Sequence, residues 1–279
     1  MKISFTKMQG CGNSYIYVDC FNQSVNNPAA FARKVSDVHT GIGADGLILI
    51  LPSFTADARM RIFNADGSEG AMCGNGIRCV AKYLYDNHLV RSTHIKIETA
   101  SGIRALTLQL VAGQVKKVMV DMGAPCFEPG RVPMVGFLRP VINSQITVQG
   151  YPYTVTALNI GNPHCVLFCK DVDKLNLERL APAFGRSGIF PQGVNVEFVQ
   201  VLAQGKLKMR VFERGSGETF GCGSGSCAAA VAAIATSRAL RNTDITVQQP
   251  GGTVTVRYTD TVLLIGDACT VCSGTIEDY

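Results

Sequence analysis

A chain of 279 residues has room for two domains of ordinary size, each burying its own core. Its formal charge of +5 comes from dispersed Lys and Arg with no basic block, so nothing argues for nucleic acid. No apolar run approaches the roughly 18 residues of a membrane span, and the start lacks a signal peptide's apolar core. Eleven cysteines, an odd number without a secretion signal, fit reduced thiols in a cytoplasmic protein, most of them packing as small hydrophobes.

In chain order, residues 2–7 and 15–20 alternate like strands around Gly10-Cys11-Gly12-Asn13, and Pro28–Val38 has helical spacing. Gly41-Ile42-Gly43-Ala44-Asp45-Gly46 spells a dinucleotide fingerprint, yet it precedes the strand Leu47–Leu51 instead of opening a helix, so it reads as a loop. A strand over Ala58–Asn64 and a turn at Ala65-Asp66-Gly67-Ser68 lead to a helix over 74–87, then strands over 94–99, 104–110 and 116–121. Four prolines between 123 and 140 mark the crossover to a second domain. Beyond it lie strands near 153–158 and 164–169, a helix near 173–184, and strands near 194–201 and 207–213. A helix follows Cys222, so rich in Ala on every side that it predicts full enclosure, and strands over 244–249, 252–258 and 262–266 close the pattern.

The second half repeats the first. Slid against itself by 149 positions, the chain places Met60-Arg61-Ile62-Phe63 on Met209-Arg210-Val211-Phe212, and Cys73-Gly74-x-Gly76 on Cys222-Gly223-x-Gly225. Gly12-Asn13 falls on Gly161-Asn162 at the same offset. The expected fold is α+β, two similar strand-rich domains from an internal duplication, each a curved sheet around a central helix. The expected domains are 1–122, joined by a C-terminal strand in 268–279, and 123–267.

Each copy puts one cysteine where a helix begins. A thiol's ordinary pKa of about 8.5 falls beside orphan N–H groups and a positive dipole end. The glycines let the amides of Gly74, Asn75, Gly223 and Ser224 converge on one point, where a substrate carboxylate would have a cysteine on either side. Such a pair suits removal of a proton from one face of a carbon and its return from the other, with no metal and no organic cofactor. Cys269-Thr270-Val271-Cys272 has metal-ligand spacing but no answering pair. His39, His88 and His94 lack companions, whereas His164 follows Gly161-Asn162-Pro163 and is expected to point into the shared site.

These residues resemble the diaminopimelate epimerase family along essentially the whole chain. The resemblance is carried by Gly10-Cys11-Gly12-Asn13, Phe63-Asn64-Ala65-Asp66-Gly67-Ser68-Glu69, Met72-Cys73-Gly74-Asn75-Gly76, Gly161-Asn162-Pro163-His164, Gly193-Val194-Asn195-Val196-Glu197, Glu213-Arg214-Gly215-Ser216-Gly217-Glu218-Thr219 and Cys222-Gly223-Ser224-Gly225. It implies a cofactor-independent enzyme that interconverts LL- and meso-diaminopimelate for lysine and cell-wall precursor synthesis, often as a homodimer, with two mirrored domains. It implies that Cys73 and Cys222 are the acid/base pair, that His164 and Glu213 tune them, and that Asn13, Asn64, Asn162, Asn195 and Arg214 hold the substrate. Its last strand returns to the first domain. Two positions depart from the family: Ser14 stands where an Asp is usual, and Gly46 where some members have Gln. The alternatives are a racemase of another amino acid, such as histidine or proline, and a thiol redox protein.

Overall fold

The computed structural model describes residues 2–277; Met1, Asp278 and Tyr279, which fall in the expected first domain, lie outside the described residues. The chain divides into two units, Met1–Asp121 with Ile265–Tyr279, and Met122–Leu264.

The first unit begins with β1 (Lys2–Gly10) and β2 (Asn13–Asp19). The two-residue turn between them, Cys11 at φ 55° and Gly12 at φ 77°, has the left-handed pair of angles that matches the twist of a hairpin. Then come α1 (Pro28–Ser36), β3 (Gly46–Leu51), β4 (Ala58–Asn64), β5 (Glu69–Gly70), α2 (Gly74–Asp86), β6 (His94–Thr99), β7 (Gly102–Val111) and β8 (Gln114–Asp121). β2 pairs parallel with β3, β3 antiparallel with β4, and β4 with both β5 and β6. β3 reads Gly-Leu-Ile-Leu-Ile-Leu because both of its faces are covered. Leu47 and Leu49 pack with Phe31, Ala32 and Val35 of α1, while Ile48 reaches the first turn of α2. The sheet curls around α2, which touches β1, β2, β6, β7 and β8.

α1 starts where Asn27 caps it: its Oδ1 accepts from Ala30 N at 3.1 Å, and Pro28 needs no partner in the first turn. Asn27→Ala is expected to cost about 1 kcal/mol, read as a lower urea midpoint with unchanged slope.

The second unit holds β9 (Ser144–Val148), β10 (Tyr151–Asn159), β11 (Pro163–Phe168), α3 (Leu177–Leu180), α4 (Pro182–Gly185), β12 (Asn195–Ala203), β13 (Lys206–Glu213), β14 (Gly217–Thr219), α5 (Gly223–Ala235), β15 (Asp244–Gln249) and β16 (Gly252–Tyr258). β17 (Val262–Gly266) runs through the junction with the first unit. The pairings repeat those of the first unit: β10 antiparallel to β11, β11 parallel to β12, β12 antiparallel to β13, and β13 joined to β14 and β15. α5 is enclosed as its composition demands, touching β10, β11, β12, β13, β15 and β16. Only small side chains let strands approach a helix on so many sides. The duplication is therefore a property of the fold as well as of the sequence.

Two elements differ from expectation. The single helix near 173–184 is two one-turn helices, because Pro182 has no N–H to donate and starts a new turn. The proline-rich stretch 123–140 is more than a crossover: Val132 and Met134 are core residues, packed with Phe184 and Phe190. A last strand, β18 (Cys269–Glu277), pairs antiparallel with β1 and carries both cysteines of the C-x-x-C spacing. It occupies the place beside β1 that β9 occupies beside β10.

Candidate active site

In the first unit, Cys73 is the N-cap of α2. Its backbone is extended (φ −134°, ψ 118°), and its Sγ accepts from Gly76 N at 3.3 Å. The same sulfur donates to Asn13 Oδ1 at 3.3 Å. Asn13 is oriented in turn by Asp45, whose Oδ2 accepts from Asn13 Nδ2 and from Ser14 N, both at 2.7 Å. The Gly-rich loop that resembled a nucleotide fingerprint thus supplies a carboxylate that aims an asparagine. Asn64 is held by Ser68, with Nδ2 donating to Oγ at 2.9 Å, and Ser68 by Asp66 at 2.6 Å. Tyr15 lies buried beside this group, its hydroxyl pushed well up by burial and then by Cys73. Gly46 has no room for a side chain, since a Cβ there would sit 2.1 Å from the Phe63 carbonyl oxygen.

In the second unit, Cys222 repeats the geometry. It is the N-cap of α5 at φ −122°, ψ 116°, with Sγ accepting from Gly225 N at 3.3 Å. Its own N–H donates to Gln249 Oε1 at 2.7 Å, and its sulfur lies 3.5 Å from Ser224 Oγ. Two cysteines at equivalent positions, in the same backbone conformation and with the same amide at the same distance, are what a duplicated functional position looks like.

The surroundings of the two are not the same. His164 is fully buried, with Nδ1 2.6 Å from Glu197 Oε1 and Nε2 2.8 Å from Asn162 Oδ1, so both ring nitrogens are engaged. Glu197 is fully buried too, and its position was not among the expected site residues. The register places His164 opposite Asn195 on β12 and Glu197 opposite Val211 on β13. With side chains alternating along each strand, His164, Glu197 and Glu213 therefore share one face of the sheet. Glu213 accepts from Thr219 Oγ1 at 2.6 Å. Arg214 donates its backbone N–H to Asn195 Oδ1 and its Nη1 to the Gln192 carbonyl, each at 2.8 Å.

This row overturns one expectation. The Cys222 thiol is pushed well above its ordinary value: burial dominates, Glu213 and Glu197 add to it, and the Ser224 and Gly225 hydrogen bonds only partly offset them. A helix start lowers a thiol's pKa where water reaches it; Cys222 is 5 % exposed and looks onto carboxylates. Burial likewise raises Glu197, against the pull of His164.

The fold is one shared by proteins of several names. Over its whole length the chain matches the Bacillus anthracis phenazine biosynthesis protein of the PhzF family, with TM-score 0.73, 18 % identity and full coverage of both chains. A hydroxyproline epimerase from Agrobacterium vitis matches with TM-score 0.71 and 16 % identity, covering 99 % of this chain and 92 % of that one. At these identities the likeness is one of fold. The sequence is more specific: the family model for diaminopimelate epimerase matches residues 5–128 and 156–268. The diaminopimelate epimerase of Desulfovibrio desulfuricans is 44 % identical over 281 aligned positions, 98 % of this chain and 97 % of that one. The chain belongs to the diaminopimelate epimerase family.

Proposed function

We propose that this protein interconverts LL- and meso-2,6-diaminopimelate by a two-base mechanism at the α-carbon. Cys73 and Cys222 act on opposite faces of that carbon. The thiolate removes the α-proton as the C–H bond breaks; its electron pair delocalises onto the carboxylate; the other thiol gives up its proton to form the new C–H bond. In the reverse direction the two sulfurs exchange roles. The observation that carries the reading is the matched geometry of the two cysteines, each an N-cap whose sulfur takes an amide three residues on at 3.3 Å.

An α-proton beside a carboxylate is weakly acidic, so the developing charge needs preorganised donors. The amides of Gly74, Asn75, Gly223 and Ser224 are proposed to supply them, each donor contributing about 3 kcal/mol of barrier lowering. His164 and Glu213 set the protonation of the second unit's thiol. Asn13, Asn64 and Asn162 hold the reacting end, and Asn195, through the Arg214 backbone, fixes the arginine for the distal carboxylate. The chemistry asks for no metal or organic cofactor, and the proposed partner is a small amino acid in the cytoplasm, with the enzyme a homodimer. Among the described residues no helix is long and apolar enough to cross a membrane.

The test is α-deuterium uptake from D2O, followed by NMR, over a panel of diaminopimelate, histidine and proline. Exchange with diaminopimelate alone supports the reading; exchange with histidine or proline but not diaminopimelate replaces it with a racemase of that amino acid. Arg214→Leu is expected to raise KM for diaminopimelate about 10- to 100-fold, because a charge-assisted pair to a carboxylate is worth roughly 1.5–3 kcal/mol. An unchanged KM removes Arg214 from the binding set.

A further inference from the structure

Both units offer the same three positions beneath their cysteine, and the duplication has filled them differently. At the offset that carries Cys73 onto Cys222, Tyr15 corresponds to His164, Ile48 to Glu197, and Asn64 to Glu213. The structural equivalence is close. A Cβ on Gly76 would lie 2.6 Å from Ile48 Cδ1, and a Cβ on the equivalent Gly225 would lie 2.9 Å from Glu197 Oε1. The same Gly225 Cβ would be 3.3 Å from the Cys222 sulfur, so carboxylate and sulfur flank one glycine of the first helical turn. Where the first unit packs a methyl group against its helix start, the second packs a buried carboxylate.

The hydrogen bonds fix where that carboxylate sits. Asn162 presents Oδ1 to His164 Nε2, so Nε2 carries a proton and donates. His164 Nδ1 lies 2.6 Å from Glu197 Oε1, a short hydrogen bond between two fully buried side chains. Glu197 Oε2 is buried and has no hydrogen-bond partner among the described residues. His164 is thus the group that pins this carboxyl group in place.

We propose that Glu197 is a further positioning residue of the reaction: pinned by His164 beneath the start of α5, its carboxylate keeps Cys222 in the thiol form, so that Cys222 enters the resting enzyme as the acid. This rests on the two-thiol reading above and names the residue that makes the two thiols unequal. The elements packed on α5 bring the following charged and titratable groups towards it. β13 brings Glu213, which acts in the same direction, and β12 brings Glu197 itself. β11 brings His164 and Cys165, the latter held as a thiol by burial and by Glu197. β15 and β16 bring Asp244 and Arg257, which pair with each other at 2.6 Å, and Gln249, which is neutral. β10 brings no charged residue. The largest cause of the raised Cys222 value is burial, and the carboxylates add to it.

The test reads Cys222 directly and without substrate. Intact protein is alkylated with iodoacetamide over a pH series, and the Cys222 peptide is quantified by mass spectrometry. The wild type is expected to show a midpoint above the ordinary thiol value of about 8.5. Glu197→Gln is expected to move that midpoint down by at least one pH unit, so that Cys222 alkylates at least about tenfold faster at pH 8 relative to its own high-pH plateau. Glu197→Ile, the side chain the first unit carries at this place, is expected to do the same. A change in access alters the plateau and leaves the midpoint where it was, which separates a charge effect from loosened packing. A midpoint unchanged in both variants overturns the proposal. So does a wild-type midpoint at or below about 8.5, which needs no variant to fold. Failure of the epimerase reading shows separately, as absence of α-exchange with diaminopimelate.

Discussion

Cys73→Ser and Cys222→Ser are each expected to lower epimerisation of diaminopimelate by at least 10²- to 10⁴-fold, roughly the contribution of a positioned acid or base. Serine is the informative replacement because it keeps the structural job. Both cysteines are N-caps, each accepting an amide hydrogen bond at 3.3 Å, and serine is among the best N-cap residues. The helices should therefore persist and the melting temperatures stay within a few degrees. What is lost is a group that ionises in the working pH range, since a hydroxyl does not. Equal activity of either variant and wild type under saturating substrate would remove that cysteine from the mechanism. The epimerisation rate and circular dichroism, measured on the same samples, decide between a chemical and a structural loss.

The largest stability effect is expected at Gly46→Ala. A Cβ there would sit 2.1 Å from the Phe63 carbonyl oxygen, 3.0 Å from Tyr15 Cε1 and 3.1 Å from Asn64 Cα. Two of those three neighbours are backbone, which cannot swing aside as a side chain can. Gly46 pairs directly with Asn64 across β3 and β4, so relief of the clash has to pull the strands apart. A cost of about 3 kcal/mol is expected, at the top of the range for overpacking, visible as a lower urea midpoint. The same displacement moves Asn64, so KM should rise together with the loss of stability. A stability change under about 0.5 kcal/mol would show that the backbone at Gly46 relaxes freely.

What the sequence made legible was whatever is written locally or written twice. The cysteines at helix starts, the glycine turns and the strand alternations are local patterns, and the duplication exposes itself because both copies keep the same spacing from Gly12 to Gly76. The enclosed α5 was readable from its run of alanines. What needed the third dimension was charge and burial. The helix dipole beside Cys222 is a local feature and is legible; the desolvation and the two carboxylates that outweigh it come from the packing of β12 and β13 against α5. Glu197 carries a signal of its own. It interrupts an apolar strand, Asn-Val-Glu-Phe-Val, at a position matched by Ile48 in the first copy. A charge where the repeat has an isoleucine marks either an exposed face or a buried function, and burial decides for the second. Asp45 was hidden inside a motif whose nucleotide reading was rejected; its actual work, aiming Asn13, depends on the pairing of β2 with β3. The helix expected near 173–184 is broken by Pro182, which lacks the N–H that would continue it.

The central claim, two distinct proton carriers for one carbon, is tested most directly by where deuterium goes early in the reaction. LL-Diaminopimelate is incubated with the enzyme in D2O, quenched well before equilibrium, and the α-methine signals of remaining substrate and new product are compared. One sulfur takes the substrate's hydrogen while the other, already equilibrated with solvent, delivers deuterium. The meso product should therefore carry deuterium at the inverted centre while unreacted substrate keeps its hydrogen. Substrate and product labelled to the same extent, or product that retains the original hydrogen, would mean a single group serving both faces and would contradict the account.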